Sequence, residues 1–206
     1  MDNQEYLNQI SSNNRPIGGG IGGGILSSTY GKIGIISGAA LILIILVGSI
    51  LGGGKGGIRD QSYDLSKHIQ NTMEVISRYQ PRVKSSTLRS SSASLYGVLS
   101  NTDRELSAYL DEKYKLREKD LDKDMLAEND AAKEELDTEL FEARINGILD
   151  RIYAHKMAYE ISVISSKESK ILNLKPSEDL KLLLDKSMSS LDNLYNNFND
   201  FTEGNK

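Results

Sequence analysis

The chain has no cysteine, no tryptophan, two histidines, three phenylalanines and three prolines among its 206 residues. Without cysteine it cannot carry a disulfide framework, a thiolate metal site, a cysteine nucleophile or a lipidated cysteine anchor. That absence does not assign a compartment, because reducing and oxidising ones both hold cysteine-free proteins. In a helical bundle a di-iron site would set a glutamate three residues before each histidine. Leu65 precedes His68 and Ile152 precedes His155 at that offset, so no metal is expected. His155 falls on an apolar stripe and reads as a hydrogen-bonded core residue. His68 follows Asp64 by one turn and reads as part of a helix-surface pair. Ten tyrosines without tryptophan suit helix interfaces better than a platform for stacked bases.

Charge narrows the partners. The formal net charge is −4. Setting aside the four basic and three acidic residues up to Asp60 leaves 21 basic against 26 acidic ones, a balance that argues against nucleic acid. The carboxylates lie on solvated faces, and no isolated acidic pair stands out for acid–base catalysis. The stretch DLDKDMLAEND lacks the glycine and the regular oxygen spacing of a calcium loop. Gly18, Gly20 and Gly23 match G-x-G-x-x-G inside a glycine run, but no strand precedes them. Gly54-Lys55 resembles the end of a phosphate-binding loop, with Gly56 where Ser or Thr is required and Ser49 in place of the first glycine. No cofactor, small-molecule substrate or catalytic residue is therefore expected. Arg78, Arg82, Lys84 and Arg89 form the one basic patch. It reads as scattered surface charge, the alternative being contact with anionic lipid or envelope polymer beside a membrane-proximal hinge.

One feature of the sequence outweighs these absences. From Ile33 to Leu51 it reads IGIISGAALILIILVGSIL, 19 residues without a charge, bracketed by Lys32 and Lys55. At about 1.5 Å per residue this run covers about 28 Å, close to the hydrocarbon thickness of a bilayer. Leu41–Val47 alone favours insertion by roughly 2–4 kcal/mol. A signal peptide would have a shorter apolar core behind a basic start, and a buried core helix rarely runs so long without polar interruption. A single transmembrane helix at 32–52 is expected. Gly34, Gly38, Leu41, Ile45, Gly48 and Gly52 recur at spacings of four and three along one face. The pairs Gly34/Gly38 and Gly48/Gly52 form two GxxxG motifs that let a second helix approach closely, from another copy or from a protein partner.

Residues 1–31 are Asn- and Gly-rich and read as a disordered tail, and 53–59 as a glycine hinge. Lys32 and Arg15 on one side are nearly balanced by Lys55, Arg59 and Lys67 on the other. A long domain after an N-terminal anchor crosses largely regardless of charge, so a cytoplasmic N-terminus and an extracytoplasmic domain are expected.

Residues 60–206 read as helical throughout. The spacing predicts a first helix over 60–79 with Leu65, Ile69, Met73 and Ile76 inside. A second begins at Pro81 with Leu88, Ser92, Leu95, Leu99, Thr102 and Leu106 inside, Gly97 and the serines giving close approach. Thr102-x-x-Glu105 can alternatively restart it after a break at Ser100–Asn101. The charged stretch 111–139 reads as a solvated hairpin tip turning near Glu128–Asp130, with Asn129 as a cap. A third helix over 131–170 carries the stripe Phe141, Ile145, Ile148, Ile152, His155 and Tyr159, widened by Leu149 and Tyr153. A fourth starts near Pro176 with Leu180, Leu184, Leu191, Leu194, Phe198 and Phe201 inside. The expected fold is all-α: a transmembrane helix followed by an antiparallel up-and-down bundle of about four helices, its longer middle pair protruding as a coiled-coil hairpin. The expected function is that of a membrane-anchored, non-catalytic scaffold or interaction module at the cell envelope, the alternative being a ligand-sensing bundle.

Overall fold

In the computed structural model, residues 57–115 and 122–204 are described. The chain divides into two units, Met1–Ser49 and Ile50–Lys206, and every described residue belongs to the second. The expected tail, the membrane helix at 32–52 and most of the hinge lie outside the described residues.

The described residues form five α-helices and no strand: α1 (Ile58–Tyr79), α2 (Ser86–Tyr114), α3 (Lys123–Ile145), α4 (Leu149–Asn173) and α5 (Glu178–Gly204). Successive helices run in opposite directions. Ser66 of α1 meets Asp103 of α2 at 2.7 Å, and Thr102 of α2 meets Ser187 of α5 at 3.1 Å. The Tyr153 ring of α4 lies 6.4 Å from that of Phe198 on α5. Helix α1 packs on α2, α2 on α5, α5 on α4 and α4 on α1, closing a four-helix ring. Helix α3 lies outside it, against α1 and α4.

The ring is held by the apolar rows legible in the sequence. Leu65, Ile69 and Ile76, then Leu88, Leu95, Leu99 and Leu106, then Leu180, Leu184, Leu191 and Phe198 are all fully buried. Each such side chain contributes about 1.5–3 kcal/mol. Met73 and Phe201 are only partly covered. The α1–α2 reversal combines a 3₁₀ turn at Gln80–Arg82, where Pro81 suits the helix start, with the Ser85 cap, whose Oγ accepts from Leu88 N at 3.3 Å. Helix α2 then runs unbroken through Ser100 and Asn101, so Thr102 and Glu105 restart nothing. Gly97 faces open space and gives no close helix approach.

The third expected helix is two helices, making five rather than about four. Asn146-Gly147 ends α3 with Gly147 at φ +72°. Ile148 N–H bonds to Ala143 O at 2.9 Å and Gly147 N–H to Arg144 O at 3.2 Å, the paired bonds of a Schellman cap. The reversal turns Phe141, Ile145 and Ile148 outward, at 47%, 66% and 40% exposure. His155 is exposed too. The core row of α4 is instead Tyr153, Met157, Ile161, Ile164 and Ile171. Among the described residues α2 and α3 do not pair as a coiled-coil arm, since each packs on α1 instead. The charged stretch after Asp122 lies along the ring as the start of α3, and Asn129 sits inside that helix, buried.

Two glycines give opposite expectations. Gly147→Ala lowers the unfolding free energy by about 1 kcal/mol, because an alanine is strained at positive φ. Gly97→Ala raises it by about 0.5–1 kcal/mol, because the site is helical and open. Denaturant titration followed by far-ultraviolet circular dichroism measures both; changes of the same sign would contradict the reversal.

Candidate functional site

Helix α3 buries only three apolar side chains, Leu136, Leu140 and Ala143. Polar side chains do the rest of the fastening, some buried, as Asn71 and Asn129 are, and others exposed, as Arg78 and Glu74 are. Asn129 Nδ2 donates to Asp64 Oδ1 at 2.8 Å and to Met125 O at 3.0 Å. Asn71 Nδ2 donates to Asn129 O at 2.9 Å. Asp64 also takes Lys167 of α4, so one carboxylate ties three helices together. Further along α1, Arg78 bonds Asp137 at 2.7 Å, the Tyr79 hydroxyl donates to Asp137 O at 2.9 Å, and Lys133 reaches Glu74. The Lys133 ammonium, hydrogen-bonded to Glu74, holds that carboxyl below the usual range.

At the centre of this seam His68 Nε2 lies 2.9 Å from Glu160 Oε2 on α4, with His68 8% and Glu160 7% exposed. The Thr72 hydroxyl stands between His68 O at 2.9 Å and the same Glu160 oxygen at 3.3 Å. His68 is thus a buried partner of Glu160, not a surface residue paired with Asp64. The three side chains are those of a nucleophilic triad in the wrong order. Thr72 turns to the carboxylate and a carbonyl, not to an imidazole nitrogen that could take its proton. The adjoining hollow, lined in part by Asn71, Asn129 and Leu136, measures about 10 Å³, the space of a single water. No substrate fits at this cluster.

A second buried polar group lies between α2, α4 and α5. Glu168 is 0% exposed, and neither carboxyl oxygen has a well-formed hydrogen bond. Burial pushes its pKa up to about 8; the Ser187 hydroxyl acts against this and the Asp192 charge adds to it. Ser187 in turn accepts from Thr102 and lines a hollow of about 80 Å³ with Asn101, Glu105 and Lys186. That volume admits a few waters and falls below the roughly 300–1,000 Å³ of small-molecule sites. In the same interior, burial pushes the Tyr153 phenol up to about 12, the Ser92 hydroxyl opposing it. Among the described residues no group of three His, Asp or Glu is placed to hold a metal ion. His155 lies beside Lys156, and residual burial, then that charge, hold its pKa below the ordinary value.

The glycines of the expected packing face, Gly34, Gly38, Gly48 and Gly52, lie outside the described residues. The basic patch stands at the far end of α1 from the hinge, not beside it: 22 residues of helix separate them, about 33 Å. Sequence reasoning missed Glu160 and Glu168. Only Glu168 left a signal, since at spacings of seven and four it shares a helical row with Ile161 and Ile164.

Two measurements test this arrangement. Asn129→Ala orphans Asp64 Oδ1 and destabilises α3 by about 1–3 kcal/mol. Amide exchange within 123–145 accelerates while α5 keeps its protection; unchanged exchange in α3 would show the seam to be incidental. Glu168 has a folded pKa raised above its ordinary 4.5 to about 8. The stability that its protonated form supports is present in full below about pH 4.5 and is lost as pH rises to about 8. Glu168→Gln removes that slope, so the variant is the more stable protein at pH 8, by at most a few kcal/mol. Parallel pH–stability curves for both proteins would refute it.

No protein-family model, curated protein or solved structure matches the chain.

Proposed function

We propose that this chain is a single-pass membrane-anchored helical bundle, a non-catalytic scaffold or interaction module at the cell envelope with its N-terminus cytoplasmic and its bundle extracytoplasmic. The observation that carries the reading is the charge-free run from Ile33 to Leu51, tied to a bundle through a glycine hinge. No helix among the described residues is long and apolar enough to cross a membrane, so the anchor would be that run alone. The hollows at the His68 seam and between α2 and α5, about 10 and 80 Å³, suit water better than a small molecule, which weighs against the ligand-sensing reading. Its partners would then be membrane lipid and other helices. A second copy packing through Gly34, Gly38, Gly48 and Gly52 is the first candidate.

Fractionation of cells expressing the full chain tests the anchor: the protein resists alkaline extraction and needs detergent for release. Recovery in the supernatant without detergent would end the proposal. Gly34→Leu combined with Gly38→Leu abolishes crosslinked dimers in membranes if that face packs. Protease added to intact cells degrades the bundle and spares the tail; the reverse pattern would invert the orientation.

A further inference from the structure

The end of the bundle remote from Gly57 collects two kinds of side chain that a soluble surface rarely keeps together. The α3–α4 reversal presents Phe141, Ile145 and Ile148 at 47%, 66% and 40% exposure, with Asn146 and Gly147 between them also exposed. The same end carries Arg82, Lys84, Arg89, Arg144 and Arg151, and among the described residues none of these five has a carboxylate within ion-pair distance.

Asp150 is what gathers them. Its two carboxyl oxygens accept from the backbone N–H of Lys84 at 2.9 Å and of Ser85 at 2.8 Å. The α1–α2 turn with its cations is thereby clipped to the first turn of α4, two residues from Ile148. The carboxylates of this end are largely committed: Asp150 to those amides and Asp137 to Arg78. Glu139 meets Lys156, which leaves Glu142 and Asp200, so among the described residues the unpaired cations of this end outnumber its unpaired acids. Arg144 lies over the Phe141 ring, its guanidinium carbon 5.2 Å from the centroid, which holds charge and apolar surface side by side.

We propose that this end docks on an anionic lipid bilayer, with Phe141, Ile145 and Ile148 entering the interface and the cations meeting headgroup phosphates and carboxylates. The charge fits an acidic surface, and the shape favours lipid over protein. A protein partner is held by anchors seated in pockets, whereas here the apolar side chains themselves project from the surface at 40–66% exposure. A turn whose apolar side chains project singly suits a fluid that closes around each one. The inference does not depend on residues 33–51 spanning a membrane.

The absence of cysteine makes the test direct. Full-length Asn146→Cys and Ser94→Cys, each with an environment-sensitive fluorophore, are reconstituted with vesicles of phosphatidylcholine alone or with about one quarter phosphatidylserine. The tip label shifts blue and brightens severalfold on the anionic vesicles only, while the label on α2 does not move. Raising salt to about 1 M, where the screening length falls to about 3 Å, reverses the shift. Arg144→Ala with Arg151→Ala weakens it, and Phe141→Ser with Ile145→Ser abolishes it; both pairs are exposed, and circular dichroism confirms the fold. A tip label that stays aqueous, responds equally to neutral lipid, or responds only to an acidic amphipathic peptide overturns the proposal. Flotation in the same samples reads the anchor separately. A chain that floats with neutral vesicles while its tip stays aqueous refutes docking and leaves the anchor intact.

Discussion

The reversal at Asn146-Gly147 decides the architecture. An unbroken helix from 131 to 170 would have carried the charged stretch away from the ring as a projecting arm. A glycine at φ +72°, closed by the Ile148 and Gly147 amides, sends the chain back on itself. Helix α3 then lies on α1 and α4, where its few apolar side chains find cover. Three consequences follow from this one turn. His68 and Glu160 are covered by a helix that would otherwise be absent; the apolar residues around the reversal are left at a solvent-facing end; and α4 starts on a new phase, so its core row is not the row that continues from α3.

A helix with three buried apolar side chains gains too little from area burial to fix its register along two neighbours. Hydrogen bonds supply the missing specificity. Asn129 meets Asp64, and Asn71 meets the Asn129 carbonyl, only when α3 stands at one height, and a slide by one turn would break both contacts. The ring helices need no such device, because their rows of Leu and Ile mesh directly. Even so, the ring encloses Glu168, a carboxyl that burial holds protonated over the acidic and neutral range. Burying it destabilises the bundle as pH rises, and no geometry in the structure shows a return on that penalty.

The ring was largely legible in the sequence, because heptad-like rows of Leu in 88–106 and 180–198 can be satisfied only by burial against other helices. Leu88, Ser92, Leu95, Leu99, Thr102 and Leu106 were all expected inside, and all are. The fifth helix was also written in the chain, as Asn-Gly before a hydrophobic residue. There an apolar stripe continuous in spacing outweighed a C-cap signal, and the cap won, because a left-handed glycine closes two backbone bonds at once. The polar seam was not legible. Nothing in the neighbourhood of His68 announces Glu160, since their 92-residue separation is bridged only by the topology. The same holds for the tip. Its cations come from 82–89 and 144–151, and only the Asp150 clip to the Lys84 and Ser85 amides makes them one surface.

The two ends of the bundle differ in what they can tolerate. Toward the Gly57 end several cations meet carboxylates directly: Lys167 with Asp64, Lys67 with Asp130, Arg59 with Asp60. At the other end, clipping the α1–α2 turn uses a carboxylate on backbone amides, and so leaves lysine and arginine charges uncancelled. Repulsion among them would loosen the turn in water, yet the backbone amides of Lys84 and Ser85, just before α2, need that carboxylate. An anionic layer outside the protein resolves the conflict, because it neutralises the guanidinium groups without withdrawing Asp150 from the helix start. The clip that fixes the turn before α2 and the exposed charge at the tip are therefore two sides of a single assignment of one side chain.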